Sequence, residues 1–148
     1  DTDHYDAFYR EAVPRWGVQR LFPFGDRSTL AIGYAGDYRF TDTDLPPPTL
    51  GDDFNDRTDH NVFVTYTLAL SRRVLVQPYY RYQYTHFTAD EDRDDNLNSF
   101  GLALYCFFTP WISARAFAGY DIMNTTSTRV PDYNQFDGGG GVNVTIRF

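Results

Sequence analysis

The sequence predicts an all-β protein of antiparallel, up-and-down strands, and three observations carry that expectation. Apolar side chains recur at every second residue through most of the chain. The connections between those stretches are alternately short and long. Aromatic residues make up 18% of the chain and collect toward the ends of the stretches. Side chains on a strand alternate faces with a period of two, whereas an amphipathic helix repeats near 3.6. No apolar run approaches the roughly eighteen residues of a spanning helix.

The pattern marks seven strands, at about 5–22, 29–41, 61–71, 74–87, 97–108, 111–123 and 136–148, within one domain covering residues 1–148. In every one the more apolar face falls on even numbers. The first is the weakest, with Phe8, Ala12, Trp16 and Val18 against Glu11, Arg15 and Gln19, and it contains Pro14. The second sets Leu30, Ile32, Tyr34, Tyr38 and Phe40 against Asp37 and Arg39. The third sets Val62, Val64, Tyr66 and Leu68 against Asn61, Thr65 and Thr67. The fourth sets Val74, Val76, Tyr80, Tyr82 and Tyr84 against Gln77, Arg81, Gln83 and Thr85. Phe100, Leu102 and Leu104, then Ile112, Ala114 and Ile122, continue the scheme in the fifth and sixth. The seventh is the clearest: Phe136, Gly138, Gly140, Val142, Val144, Ile146 and Phe148 share one face. Its four consecutive glycines lack the Lys and helix of a phosphate loop, and instead allow a bend or a ring lying over the backbone.

Composition narrows the function classes. The net charge is −7, and all 13 basic residues are Arg, which argues against a nucleic-acid partner. The single Cys106 excludes an internal disulfide framework and a cysteine-based zinc site. A mean hydropathy of −0.49 resembles that of a water-soluble domain, but a strand with one polar face has no hydropathy signature of its own. The chain opens on Asp1-Thr2-Asp3-His4, without the basic start and apolar core of a signal peptide. For an exported protein that describes a mature or truncated form.

The last ten residues, Gly139-Gly140-Gly141-Val142-Asn143-Val144-Thr145-Ile146-Arg147-Phe148, resemble the C-terminal strand of bacterial outer-membrane β-barrels, particularly porin-like ones. That resemblance implies a transmembrane β-barrel integral to the outer membrane. It implies a comb of Val142, Val144, Ile146 and Phe148 read by the barrel-assembly machinery, and a periplasmic C-terminus. The long connections at 42–60, 88–96 and 124–135 would then be extracellular, opposite the short turns at 23–28, 71–73 and 109–111, as in such barrels. Tyr38, Phe40, Tyr80, Tyr82 and Tyr84 would form an outer aromatic girdle, and Phe22, Phe108 and Trp111 an inner one. A soluble barrel of the lipocalin type also alternates, but has no reason for two end-weighted aromatic belts. Seven is an odd count where bacterial single-chain barrels use an even one. Three explanations stand: upstream strands of a longer barrel, an eighth strand hidden in the pattern, or a barrel shared by several chains.

The odd positions supply the lumen-facing charges of such a barrel. Glu11, Asp37, Asp121 and Asp137 are expected near the outer mouth with Arg39, then Arg15 and Arg81 at mid-height, then Arg115 and Arg147 low. An arginine-rich middle below an acidic mouth would favour anionic or zwitterionic solutes. In a small closed barrel the same charges would pair with one another. The acidic loops, with Asp42, Asp44, Asp52, Asp53, Asp56 and Asp59 and then 90–95, could meet divalent ions at a lipopolysaccharide surface. They lack the spaced ligands of a calcium loop and read as solvated loops, so no metal or cofactor is expected. No G-x-S-x-G motif is present, and His4, His60 and His86 have no nucleophile at a suggestive spacing, so no enzyme is expected. The function expected is a porin-like passive channel for small hydrophilic solutes; the alternative is a non-conducting structural or surface-interaction barrel. Deleting Phe148 is expected to impair insertion, read as loss of the chain from the outer-membrane fraction. Normal insertion would overturn the terminal-comb reading.

Overall fold

Alternation over long stretches with short polar turns should give an antiparallel meander, and the chain folds that way. The computed structural model describes residues 9–43, 56–88 and 93–145. It contains β1 (Tyr9–Ala12), β2 (Arg15–Phe24), β3 (Ser28–Thr43), β4 (Arg57–Ser71), β5 (Val74–Phe87), β6 (Asp94–Phe107), β7 (Ile112–Thr125) and β8 (Tyr133–Val144). All belong to one sheet ordered β1-β3-β4-β5-β6-β7-β8, with β2 also beside β3. Every pairing is antiparallel.

The eight strands amount to seven lines of chain. β1 and β2 lie end to end along the same edge of β3: Ala12 faces Phe40 and Arg15 faces Asp37, with no change of register between them. The break is Val13-Pro14, and the Tyr38 N–H still donates to the Pro14 carbonyl across it at 3.2 Å. Proline has no N–H to return that bond, so the ladder is interrupted without being displaced. The first expected strand is therefore real but split, the fourth has the bounds expected, and the others extend further toward the long connections than the alternation marks.

Each turn is built by its own residues. Gly25 takes a left-handed φ of 63°, and Ser28 Oγ donates to the Phe24 carbonyl at 3.0 Å. Thr109 Oγ1 accepts the N–H groups of Trp111 and Ile112 at 3.2 and 3.0 Å, holding the Thr109-Pro110-Trp111 corner. At the opposite end, acidic residues of the expected solvated loops serve as local acceptors. Asp56 Oδ1 takes Thr41 N–H and Oγ1 at 2.5 and 2.8 Å, and Asp132 Oδ1 takes Thr125 N–H at 2.8 Å.

Paired residues of an antiparallel ladder share a face, and even numbers face even numbers across all seven lines except at Ser71–Val74, beside the β4–β5 turn. The odd face is the covered one: Thr41, Asp59, Thr85, Phe87, Asp95, Ser99 and Ala103 are all buried. The even face is open and apolar, exposing Val18, Ile32, Val62, Phe100, Leu102, Leu104, Phe136 and Val142 among others. Aromatic rings on the odd face lie over glycines directly opposite them. Phe63 covers Gly33, Phe117 covers Gly139, and Tyr79 covers Gly101 with its hydroxyl reaching toward Gly119. A Cβ on Gly101 would fall 2.2 Å from Tyr79 Cζ, so only glycine lets that ring lie flat.

Among the described residues the sheet does not close, because no pairing joins β8 to β1 or β2. Of the expected barrel, the described residues show the antiparallel, up-and-down sheet, seven lines wide and open at both edges. Gly101→Val is expected to destabilise the fold by about 1–3 kcal/mol through overpacking. Thermal unfolding would show it, and adding Tyr79→Ala should recover part of the loss.

Candidate functional site on the covered face

The polar groups of the odd face stand at successive levels, counted from the long-connection end. The topmost carries Arg39, Arg57, Phe87 and Arg93, and the next carries Arg15, Asp37, Asp59, Thr85 and Asp95. Residues two apart on a strand lie on one face, so each arginine sits above an aspartate of its own strand. Arg57 Nε donates to Asp59 Oδ2 at 3.1 Å. Arg93 Nε and Nη2 clasp both oxygens of Asp95 at 3.0 and 2.5 Å. Arg39 Nε lies 3.4 Å from a Glu11 carboxylate oxygen. Phe87 is buried between two of these cations, with the Arg57 and Arg93 guanidinium carbons 5.6 and 4.3 Å from its centroid.

Asp59 is the hub of this belt. Besides Arg57 it accepts from the Thr85 hydroxyl and from Gln83 Nε2, and it is 4% exposed. Asp37 faces Asp59 across the β3–β4 ladder. Two carboxylates directly opposite repel, and although Arg15 is opposite Asp37, Asp37 Oδ1 is buried without a hydrogen-bond partner. Charges of both signs alternate in the belt, and it is closely paired at Arg57–Asp59 and Arg93–Asp95.

Below it, Gln19, Phe63, Arg81, Ser99, Asp121 and Gln135 share one level. Lower still come the rings of Tyr79 and Phe117 on their glycines, then Arg115, whose guanidinium carbon is 5.5 Å from the Tyr105 centroid and 5.4 Å from that of Phe117. A cavity of about 440 Å³ beside Arg115 is walled by Gly140, Gly141 and Val142 of the free edge strand, so its shape depends on an edge that lacks a neighbour.

The expected levels need correction. Arg15 lies opposite Asp37, higher than mid-height, because the β2–β3 register joins them. Asp121 is level with Arg81, and Asp137 lies a step lower opposite Gly119, so neither stands at the mouth. Arginines stand above aspartates at the top, which removes the acidic mouth over an arginine middle. Glu11, Arg39 and Arg115 fall at the levels expected. Arg147, Ile146 and Phe148 lie outside the described residues; Val142 and Val144 are exposed on β8 at 70% and 58%.

Arg57, Asp59, Arg93, Asp95 and Ser99 were not singled out by the alternation. The even positions beside the first four are Thr58, His60, Asp94 and Asn96, so both faces are polar there and the period of two disappears. The signal available was the spacing itself, Arg-x-Asp on odd numbers at the start of β4 and of β6.

The expected outer girdle forms a hydrogen-bonded ladder on the even face. Tyr80, Tyr82 and Tyr84 donate to Asn98, Asn96 and Asp94 at 2.8, 2.6 and 2.8 Å, each reaching the residue two beyond its ladder partner. Tyr34 Oη and His60 Nδ1 are 2.6 Å apart, and His86 Nδ1 lies 2.7 Å from Asp94 Oδ1. Tyr38 packs against Phe40, with ring centroids 4.2 Å apart. At the other end, Phe22 lies beneath Arg20, 5.0 Å from its guanidinium carbon, and Phe108 and Trp111 are exposed in the turn. Among the described residues no three His, Cys, Asp or Glu side chains gather to hold a metal ion.

No protein-family model, curated protein or solved structure matches this chain. Asp59→Ala is expected to cost about 1–3 kcal/mol, because Arg57, Thr85 and Gln83 lose their acceptor. Asp121→Ala, which removes no hydrogen bond, should stay within about 0.5 kcal/mol. Equilibrium urea unfolding of the two variants checks the contrast.

Proposed function

We propose that this chain forms part of the wall of a bacterial outer-membrane β-barrel, and that its odd face lines a passive path for small hydrophilic solutes. The observation that carries the reading is the inversion of the sheet. Charges, amides and hydroxyls occupy the covered face, while Leu, Val, Ile and Phe stand on the open one. A one-sided soluble sheet packs its apolar face on a core and solvates the other. A lipid-facing sheet around a polar interior does the reverse.

The dimensions support the same reading. On β7 the apolar even positions run from Ile112 to Ile122, ten residues or about 33 Å at the usual strand rise. Tilted by about 40°, that becomes a band about 25 Å tall, the height of the apolar belt of such barrels. Above it the tyrosine hydroxyls turn toward Asn96, Asn98 and Asp94, as rings do where hydrocarbon meets headgroups. Below it lie Phe24, Phe108 and Trp111. Within the band the one charged even position among the described residues is Arg20, on the edge line and over Phe22.

Strands of 14–16 residues in β3 to β7 exceed the roughly 9–11 needed to cross. The excess carries the charge belt beyond the band at the long-connection end, the extracellular end in this orientation, beside lipopolysaccharide. Seven alternating lines leave the first and last running the same way. Antiparallel closure therefore takes an odd number of further strands, from more of this polypeptide or from another chain.

The aromatic shelf of Phe63, Tyr79 and Phe117 favours a second reading, a plugged, non-conducting barrel. The chain reconstituted in a planar bilayer is expected to give steady ohmic conductance that scales with salt. A silent but inserted protein would select the plugged barrel. Failure to enter bilayers would overturn both readings. Brominated lipid should quench Trp16 fluorescence, since that ring stands on the open face.

A further inference from the structure

Below the belt, three neighbouring polar side chains of one level are without hydrogen-bond partners among the described residues. Arg81 on β5 is opposite Ser99 on β6, and Ser99 is opposite Asp121 on β7. Ser99 is 4% exposed and its Oγ has no hydrogen-bond partner. Among the described residues neither Arg81 nor Asp121 makes a hydrogen bond or ion pair, although both line the same cavity of about 280 Å³ as Ser99. Its other walls include Phe63, Thr65 and Tyr79. The two rings are held flat because each lies on a glycine, Gly33 or Gly101, so the apolar side of the cavity is shaped before anything enters it.

The chemistry of this set is directional. Arg81 presents a fork of donors matched to a carboxylate, and Asp121 presents acceptors for an ammonium group. The buried Ser99 hydroxyl stands between them, able to donate or accept. β5 and β7 are two strand spacings apart, about 10 Å, so a molecule lying across Ser99 can touch both. A buried hydroxyl without a partner is costly, and an occupant that bonds to it removes that cost. The methylenes of the occupant would rest on Phe63 and Tyr79.

We propose that Arg81, Ser99 and Asp121 form a binding site for small zwitterions of the amino-carboxylate class, with the carboxylate on Arg81 and the ammonium on Asp121. The proposal rests on the solute-path reading and names its solute class. The test is calorimetric titration of the chain, folded in detergent micelles, with 4-aminobutanoate, butanoate and butylammonium. The zwitterion is expected to bind tightest. Arg81→Gln should weaken 4-aminobutanoate and butanoate about tenfold or more, the loss of one charged hydrogen bond. Asp121→Asn should weaken 4-aminobutanoate and butylammonium but leave butanoate unchanged. Ser99→Ala should weaken all three by a smaller factor, and unchanged far-ultraviolet circular dichroism would show that each variant is folded. A folded wild-type chain that binds none of the three, or binds them equally well in Arg81→Gln and Asp121→Asn, overturns the proposal. That result leaves the solute-path reading to the bilayer conductance, whereas a chain that neither folds in micelles nor inserts overturns both.

Discussion

Everything in this sheet depends on parity. Because the side-chain period of a strand is two, a one-residue slip in any pairing would carry a whole strand's charges to the opposite face. Even opposes even in every pair but one, from Trp16 beside Gly36 to Ala114 beside Val142. The β4–β5 hairpin shows how the rule survives a misfit. Its two-residue turn, Arg72-Arg73, sets Ser71 against Val74, odd against even, and the irregularity between Ala69 and Ser71 restores the register. A bulge there absorbs the odd residue and leaves both faces intact.

Parity lets the covered face hold an unusual load. Burying charge is costly unless it is paired and hydrogen-bonded, and two pairs spaced two residues apart meet that condition, Arg57 with Asp59 and Arg93 with Asp95, whereas Asp37 Oδ1 is left without a hydrogen bond. Phe87, between two guanidinium groups, adds cation–π contact where β5 supplies no charge. Below the belt, glycines remove side-chain volume so that Phe63, Tyr79 and Phe117 can lie against the sheet. The Arg81–Ser99–Asp121 level, which Phe63 shares, leaves those three polar side chains without hydrogen bonds among the described residues.

The two edges contrast with this order. Every described residue of β8 is exposed, and its glycines offer little to pack. The opposite edge is broken at Pro14 and carries Arg20 on the open face. Proline and charge both discourage unplanned strand pairing. The β8 edge has neither in its middle, where Gly138 to Gly141 leave the backbone bare.

Strand identity, the common parity and the alternation of short and long connections were legible in the chain alone, because each is a local periodic property. So was the aromatic ladder's position, since Tyr80, Tyr82 and Tyr84 lie on one face by spacing. The belt was half legible: Asp37 and Arg39 follow from an amphipathic strand, whereas Arg57, Asp59, Arg93 and Asp95 lie where polar residues fill both faces and periodicity vanishes. Relative height was not legible. Which residue of one strand stands level with which of the next is set by turn geometry and bulges, and that put Arg15 beside Asp37 and Asp121 beside Arg81. The amino-acid order determined the faces, since a period of two needs no partner. The levels, the pairing of charges and the unpaired Ser99 were decided only when the strands came into register, because each is a relation between distant segments.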